Sequence, residues 1–205
     1  MVVAVAKGHS AEAIGAVVDA GQAHIGESFV TEALAKQSAL ADRNIVWHFI
    51  GHIQTNKTRN IATHFDWVHS VDRIKVARRL NEQREPQTAR LNVLIQVNQA
   101  REPQKSGVVE EAVEPLARSI CELPRLALRG LMTIPPAESR DDERAEYFAR
   151  LRRLNERLAA AGMPVDTLSM GMSDDFEIAI AQGSTCVRIG TAIFGPRDRG
   201  ATTAP

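Results

Sequence analysis

Cysteine is scarce in this sequence of 205 residues, which contains only Cys121 and Cys186. Two cysteines are too few for the disulfide framework of a small secreted domain. The sequence also opens without the basic, apolar and small-residue segments of a signal peptide. We therefore interpret both cysteines as reduced, buried thiols, and we expect a cytoplasmic protein.

An excess of one charge and a long apolar run are missing as well. Lysine and arginine total 25, aspartate and glutamate total 25, and the formal net charge is zero. Nucleic-acid-binding domains usually carry a basic excess. No segment approaches the roughly 18 consecutive apolar residues that indicate a transmembrane helix. We therefore expect neither nucleic-acid binding nor membrane association.

Lysine is also scarce, because most of the basic side chains are arginines. This scarcity limits any chemistry that needs a reactive amine to five positions. The lysines are Lys7, Lys36, Lys57, Lys75 and Lys105.

What the sequence does contain is a regular alternation of short apolar runs and amphipathic helical stretches. This alternation is typical of βαβ units and a parallel sheet. The eight apolar runs lie at residues 2–6, 24–25, 45–50, 67–69, 91–97, 126–130, 167–168 and 186–189. Eight is the strand number that closes a barrel around a filled interior.

The sequence therefore predicts an α/β protein, a single (β/α)8 TIM barrel over residues 1–200 with a disordered tail at 201–205. Such barrels typically need about 250 residues and at least about 200, so the loops must be short. An open doubly wound sheet is the alternative. It fits less well, because no G-x-G-x-x-G turn follows the first apolar run.

Local patterns predict where several helices begin and which face they bury. Ser10, Ser70 and Ser173 precede helical stretches and are predicted N-caps. Pro115 must lie in the first turn of its helix or kink it. The longest stretch carries an apolar stripe formed by Phe148, Leu151, Leu154 and Leu158.

Lys7 is the first candidate for chemistry, because it stands at the carboxyl end of the first strand. Active groups of barrels gather at that end of the strands. Val3, Val5 and Lys7 share one face by the two-residue period. If the two valines fill the barrel, Lys7 points into its mouth, where a desolvated amine becomes nucleophilic. The alternative is a strand-end lysine that extends into water.

Two loops near the carboxyl terminus are candidates for binding a phosphate group. Ser173 lies after the seventh strand, and Gly190 and Thr191 follow the eighth. Barrels often bind phosphate with these two loops. Gly190 permits close backbone approach, and Thr191 supplies a hydroxyl. The alternative for Ser173 is an ordinary helix cap with acidic neighbours.

The segment after the third strand contains His48 and His52, which could suggest a metal site. The two histidines are not spaced as ligands on one helix face, and no cysteine pair or H-E-x-x-H motif accompanies them. We therefore expect no metal. Gln54 and Asn56 are plausible polar groups at the barrel mouth or simple turn residues.

Taken together, these blocks resemble the YggS/PROSC family of pyridoxal phosphate homeostasis proteins, single-domain barrels of the alanine racemase N-terminal-domain type. The resemblance covers nearly the whole chain. The matching blocks are Val5-Ala6-Lys7, Gly26-Glu27, Trp47-His48-Phe49-Ile50-Gly51, Gln54-x-Asn56-Lys57, Lys105-Ser106-Gly107, Arg129-Gly130-Leu131-Met132, Gly171-Met172-Ser173-Asp174-Asp175 and Val187-Arg188-Ile189-Gly190-Thr191.

The resemblance implies pyridoxal 5′-phosphate (PLP) bound as a Schiff base on Lys7. It implies phosphate contacts from Ser173, Gly190 and Thr191, with Arg188 near the pyridine nitrogen. Asn56 is implied to lie near the other polar groups of the cofactor. A cation at the pyridine nitrogen discourages protonation of the ring, which then becomes a weaker electron sink.

The implied function is PLP homeostasis or carriage with little or no catalysis, and no catalytic residue is assigned. The alternative is a PLP-dependent racemase or decarboxylase of the same fold. Two-sided racemisation needs a second base, and the only tyrosine, Tyr147, falls on a predicted outer helix. An aldolase-like Schiff-base enzyme without PLP fits the resemblance less well. Expected partners are PLP and apo forms of PLP-dependent enzymes, and we expect a monomer.

Two of the features that differ from the family pattern lie beside the lysine strand. Family members usually carry a helix-length segment before the lysine strand, so we expect a barrel that lacks this N-terminal helix. A second lysine that often follows the first by two positions is replaced by His9. Any relay role of that lysine is absent or falls to His9.

Overall fold

A computed structural model describes residues 1–196 of the chain. The predicted tail at 201–205 lies outside these residues. Eight parallel strands alternate with helices, in the strand order β7-β6-β5-β4-β3-β2-β1-β8. The strands are β1 Val2–Val5, β2 His24–Glu27, β3 Val46–Phe49, β4 Trp67–Val71, β5 Leu91–Val97, β6 Leu126–Thr133, β7 Thr167–Ser169 and β8 Val187–Ile189.

Helices connect successive strands, and one more follows the last strand. A short 3-10 helix, Thr55–Lys57, precedes α3. The α-helices are α1 Ala11–Asp19, α2 Val30–Ala39, α3 Thr58–His64, α4 Ile74–Gln83, α5 Glu110–Cys121, α6 Asp141–Ala160, α7 Phe176–Ala181 and α8 Thr191–Phe194. Among the described residues, no helix is long and apolar enough to cross a membrane.

The barrel closes between β7 and β8. Ser169 and Cys186 form a parallel bridge, and the N–H of Arg188 donates to the carbonyl of Gly171 at 2.9 Å. On the other side, β8 pairs with β1, with Val3 opposite Arg188. The predicted TIM-barrel architecture is therefore confirmed.

Several local predictions are confirmed in detail. The β5 bounds coincide with the predicted run at residues 91–97. Ser10 caps α1, where its hydroxyl accepts a hydrogen bond from the N–H of Ala13. The stripe on α6 is buried against the sheet, as expected for a helix with one apolar face.

Two local predictions are wrong. Ser70 does not cap a helix, because β4 runs on to Val71, and the Ser70 hydroxyl donates to the carbonyl of Gly51. Ser173 lies in a turn, and α7 begins three residues later, at Phe176. In the first case the strand, and in the second case the turn, is longer than the residue types indicate. Pro115 is the sixth residue of α5, beyond its first turn, so the first of its two predicted alternatives is excluded.

The inner face of the barrel positions the site. A side chain added at Gly26 would meet Val3, Val5 and Ile50, so these residues share the interior near the first strands. Deeper inside, four polar side chains are almost completely buried: His48, His69, Ser169 and Arg188. Branched apolar residues usually fill this space in such barrels. The polar groups must therefore satisfy one another.

A matched pair of glycine replacements tests the packing around the strand ends. In Gly51→Ala the new methyl group would overlap the carbonyl of Ser28, so we expect a loss of about 1–3 kcal/mol in the free energy of unfolding. In Gly15→Ala the methyl would meet only Leu40 at 3.7 Å inside α1, so we expect a gain of about 0.5–1 kcal/mol. Urea unfolding followed by circular dichroism measures both. Equal stability of the two variants would contradict this packing.

Candidate functional site

A cavity of about 350 Å³ opens at the carboxyl ends of the strands. This volume falls within the range of about 300–1,000 Å³ that is usual for ligand sites. Five of the six residues assigned from the sequence line it together, and Asn56 does not. The lining residues are Val5, Lys7, Ser28, Ile50, Ile134, Met172, Ser173, Asp174, Arg188, Gly190 and Thr191.

Lys7 lies two residues after the end of β1, and it is partly buried. Its ammonium nitrogen lies 4.8 Å from the centre of the Phe29 ring, a cation–π distance. Within residues 1–196, no carboxylate forms an ion pair with Lys7. The amine is therefore not held by a salt bridge, and it faces the cavity.

The backbone on both sides of Lys7 is held by a second lysine. Lys36 on α2 is buried, and its ammonium donates to the carbonyl of Ala6 at 2.9 Å. The same ammonium pairs with Glu27 at 2.6 Å and with Glu32 at 2.5 Å. Glu32 also accepts a hydrogen bond from the N–H of Gly8 at 2.8 Å. These two hydrogen bonds, to Ala6 and from Gly8, fix the peptide groups before and after Lys7. This cluster was not predicted from the sequence.

Burial dominates the electrostatics of this cluster. It raises the pKa of Glu27 to about 7, although the nearby Lys36 acts in the opposite direction. The second carboxylate oxygen of Glu27, Oε2, is buried without a hydrogen-bond partner in the described chain. A protonated Glu27 could donate from this oxygen, whereas an ionised one leaves a charge poorly solvated.

The loop after β7 and the start of α8 bring several donors to the opposite side of the cavity. Gly171 has a positive φ of 95°, and an added methyl group there would clash with Ala179. This turn is closed by Asp175, whose carboxylate accepts from the N–H of Met172 at 2.6 Å. The backbone N–H groups of Ser173 and Thr191 have no acceptor within residues 1–196. They remain able to donate to a ligand.

Arg188 lies at the floor of the cavity, on β8, and is only 4% exposed. Its guanidinium donates to the Ser169 hydroxyl at 2.7 Å and to the carbonyl of Thr133 at 3.0 Å. No carboxylate of the described residues forms an ion pair with it, and burial lowers its pKa. Arginine nevertheless keeps its charge in proteins. A buried cation without a counter-ion favours a ligand that carries an acceptor or a negative charge.

Three histidines continue the polar network away from the cavity. The His69 Nδ1 atom lies 2.8 Å from the Ser169 hydroxyl, and the His69 Nε2 atom lies 2.9 Å from His48 Nδ1. The His48 Nε2 atom lies 2.9 Å from Nδ1 of the half-buried His24. We call these four residues, His24, His48, His69 and Ser169, the histidine chain. This chain was not predicted from the sequence, in which His48 suggested only a possible metal ligand.

The histidines of the interior are neutral. Burial lowers the pKa of His48 to about 3, and His24 contributes to the same shift. Burial also places the pKa of His69 well below its usual value, with smaller contributions from His48 and Arg188. No group of three or more metal-binding side chains with suitable geometry occurs in the described residues.

The remaining candidates lie around the rim or outside it. Asn56 is exposed in the 3-10 helix. The ring of His52 lies 2.7 Å from the Ser106 hydroxyl, so this histidine is engaged with the loop after β5. Lys105 pairs with Glu102 at 2.6 Å. The ring of His9 stacks on Phe194 at 4.8 Å, and His9 does not line the cavity.

A second cavity, of about 500 Å³, lies beside α6 and the loop that precedes it. Three glutamates, Glu138, Glu143 and Glu146, contribute to its wall, together with Tyr147 and Arg150. These carboxylates disfavour an anionic ligand. The smaller cavity at the barrel mouth is therefore the better site for a phosphate-bearing ligand.

Comparison with known proteins places the chain in a class. A family profile described as the alanine racemase N-terminal domain matches residues 1–198. Alanine racemase from Corynebacterium glutamicum has a TM-score of 0.72 at 16% identity, covering 94% of this chain and 54% of that one. At this low identity the likeness shows the fold alone. Fold and profile together define an α/β barrel of the alanine racemase type.

Closer relatives narrow this class to one family. The pyridoxal phosphate homeostasis protein of Pseudomonas aeruginosa is 52% identical over 198 residues, which is 97% of this chain and 85% of the relative. The Escherichia coli protein of the same name is 48% identical over 203 residues, covering 95% and 85%. PipY of Synechococcus elongatus, solved with PLP bound, has a TM-score of 0.88 at 35% identity, covering 95% and 92%. The chain belongs to the pyridoxal phosphate homeostasis protein family.

Acidification should weaken the fold through the buried histidines. Because the pKa of His48 is about 3 in the folded state and near 6.5 when unfolded, the unfolded chain binds more protons between these values. The contribution of His48 to the free energy of unfolding is fully present above about pH 6.5. It is lost as the pH falls, by up to about 1.4 kcal/mol per pH unit for one group. Glu27 acts in the opposite sense, since its raised pKa gives a contribution that is present at low pH and lost as the pH rises through 7.

A variant separates these two contributions. His48→Gln removes one titrating ring, so the free energy of unfolding should depend less steeply on pH between 5 and 6.5 than in the wild type. His64→Gln, an exposed site on α3, is the matched control for histidine replacement and should retain the wild-type slope. Urea titrations at several pH values measure the slopes. Parallel curves for wild type and His48→Gln would refute a neutral, buried His48.

Proposed function

We propose that this protein binds PLP as a Schiff base on Lys7 and acts in PLP homeostasis or carriage, with little or no catalysis. The observation that carries the proposal is the placement of Lys7, Arg188 and free backbone donors in one cavity. When bound, PLP supplies an electrophilic aldehyde carbon that a lysine amine can trap. Its phosphate and ring nitrogen supply the acceptors that the other groups need.

The residues present fit this cofactor. Lys7 has no carboxylate partner in the described chain and can offer its amine. Ser173 and Thr191 offer backbone N–H groups and hydroxyls to a phosphate, and Gly190 allows the backbone to approach closely. The buried charge of Arg188 matches an acceptor on the ring. Asn56 is exposed, and in the proposal it contacts the cofactor only if its loop moves towards the mouth.

Holding the cofactor fits the site better than catalysis does. Two-sided proton transfer needs a second base opposite the lysine. Tyr147 lines the other cavity, beside α6. Among the described residues, the one carboxylate that lines the mouth is Asp174, which is exposed in the turn before α7. A cation near the ring nitrogen also weakens the electron sink that carbanion chemistry requires. A racemase or decarboxylase of this fold remains the second candidate.

The wider biology forms part of the proposal. The cofactor-binding unit is a single barrel formed by residues 1–200, and the last four of these lie outside the described residues. The protein acts as a cytoplasmic monomer. Its partners are PLP and apo forms of PLP-dependent enzymes that receive it.

The first test is the visible absorption spectrum with added PLP, followed by borohydride reduction and peptide mapping. We expect a Schiff-base band in the wild type, and reduction should attach PLP to Lys7. The band should be lost or displaced in Lys7→Ala. Lys75→Ala is the matched control because Lys75 is exposed on α4, and it should keep the wild-type band. A folded wild-type protein without a band would refute the proposal, as would a label on another lysine only.

A second test addresses catalysis. The PLP-loaded protein should racemise or decarboxylate amino acids no faster than its Lys7→Ala variant. Chiral chromatography and carbon dioxide release measure the two reactions. Stereospecific turnover that is abolished by Lys7→Ala would establish the enzyme alternative.

A further inference from the structure

The histidine chain joins the cavity floor to His24, the first residue of β2. Its links are 2.7 Å from Arg188 to Ser169, 2.8 Å from Ser169 to His69, and 2.9 Å for each of the two histidine pairs. These are normal hydrogen-bond lengths. The ring of His48 also stacks on Trp67 at 5.5 Å, with 14° between the planes, which fixes the plane of this ring.

Neutral rings give the chain a direction. A neutral imidazole has one N–H donor and one acceptor nitrogen, so His48 and His69 must each donate at one end and accept at the other. Every link then runs the same way. Either the donors point away from Arg188, with Nε2–H tautomers throughout, or they point towards it.

The two directions differ at Ser169. Its hydroxyl oxygen accepts from Arg188 in both cases, and it has one proton to give. If the donors point away from Arg188, this proton goes to His69 Nδ1. If the donors point towards Arg188, the Ser169 hydroxyl can donate its proton to the sulfur of the neighbouring Cys186, which is a weak acceptor. The first direction therefore makes the stronger bonds.

The charge of Arg188 favours the same direction. With Nε2–H tautomers, each ring turns its acceptor nitrogen towards the cation and its N–H away from it. The negative end of every dipole then faces the positive charge, and aligned dipoles strengthen one another in a chain of hydrogen bonds. The opposite direction would place every positive end towards the guanidinium.

We infer that His69 and His48 are positioning residues of the cofactor site, acting through Ser169 to orient the Arg188 guanidinium and to stabilise its charge. The inference rests on the proposed function, because the cofactor is the ligand for which Arg188 is oriented. Histidines that do not line the cavity thereby contribute to cofactor binding.

Two other roles for the chain fit less well. A proton relay would need Arg188 to give up a proton, and arginine stays charged in proteins. A purely structural core would be served better by branched apolar residues, which usually fill such barrels. A polar interior costs free energy unless each polar group has a hydrogen-bond partner. Solvation of the Arg188 cation gives these histidines a role that apolar side chains could not fill.

Replacements of His69 can break the chain on one side at a time. The amide of asparagine reaches the position of Nδ1, so His69→Asn can still accept from the Ser169 hydroxyl. The amide of glutamine reaches the position of Nε2. His69→Gln can therefore still donate to His48, but it no longer accepts from the Ser169 hydroxyl. Both variants lose the ring, so their losses of packing are similar. His64→Gln, exposed on α3, controls for histidine replacement in general.

The first readout is PLP binding, measured by the position of the visible band and by the dissociation constant. We expect His69→Gln to shift the band and to weaken binding about tenfold, the effect of losing one hydrogen bond in a charged network. His69→Asn should keep the wild-type band and bind within about threefold of the wild type. A role in stability alone predicts that both variants melt earlier and share the wild-type band.

The second readout needs no cofactor. Nitrogen-15 spectra of the ligand-free protein should show Nε2–H tautomers at His48 and His69. The guanidinium protons of Arg188 should exchange slowly in the wild type and in His69→Asn, and faster in His69→Gln. Nδ1–H tautomers, or equal exchange in the two variants, would overturn the inference. A wild type that binds no PLP would instead refute the proposed function, and the exchange rates would still decide whether the chain orients Arg188.

Discussion

The buried charge of Arg188 is the constraint on which the rest of the site depends. A cation inside a barrel costs several kcal/mol unless it is solvated by the protein or paired. Here the described residues provide a hydroxyl and a carbonyl, with no carboxylate. The neutral histidines behind Ser169 extend this solvation through the interior. Because nothing within the described chain neutralises the charge, the mouth is suited to a ligand that brings an acceptor of its own.

The cluster that holds the backbone around Lys7 is built on a different principle. There the Lys36 ammonium contacts two carboxylates and the carbonyl of Ala6. This cluster holds the backbone on either side of Lys7 while its side chain makes no ion pair in the described chain. Rigid backbone with a free amine is the arrangement that lets a lysine react without first breaking a salt bridge.

The architecture followed from the sequence because its signals are local: apolar runs mark the strands. Five of the residues assigned from the sequence and its family resemblance lie on or just after strands, and the barrel brings them to one cavity. The predicted N-caps at Ser70 and Ser173 are wrong because a serine before a helical stretch does not determine where the helix begins. The histidine chain left no local signal. His24, His48 and His69 are separated by 24 and 21 residues, and only the strand register places them in contact.

The same physics connects the interior to the function proposed for the mouth. A catalyst of carbanion chemistry gains from a protonated ring nitrogen, which a carboxylate partner would favour. In the proposed complex the Arg188 guanidinium lies there and is stabilised by neutral donors and acceptors, so the ring nitrogen would remain an acceptor. On this proposal the interior of the barrel favours retention of the cofactor over its use, and it acts through histidines that do not line the cavity.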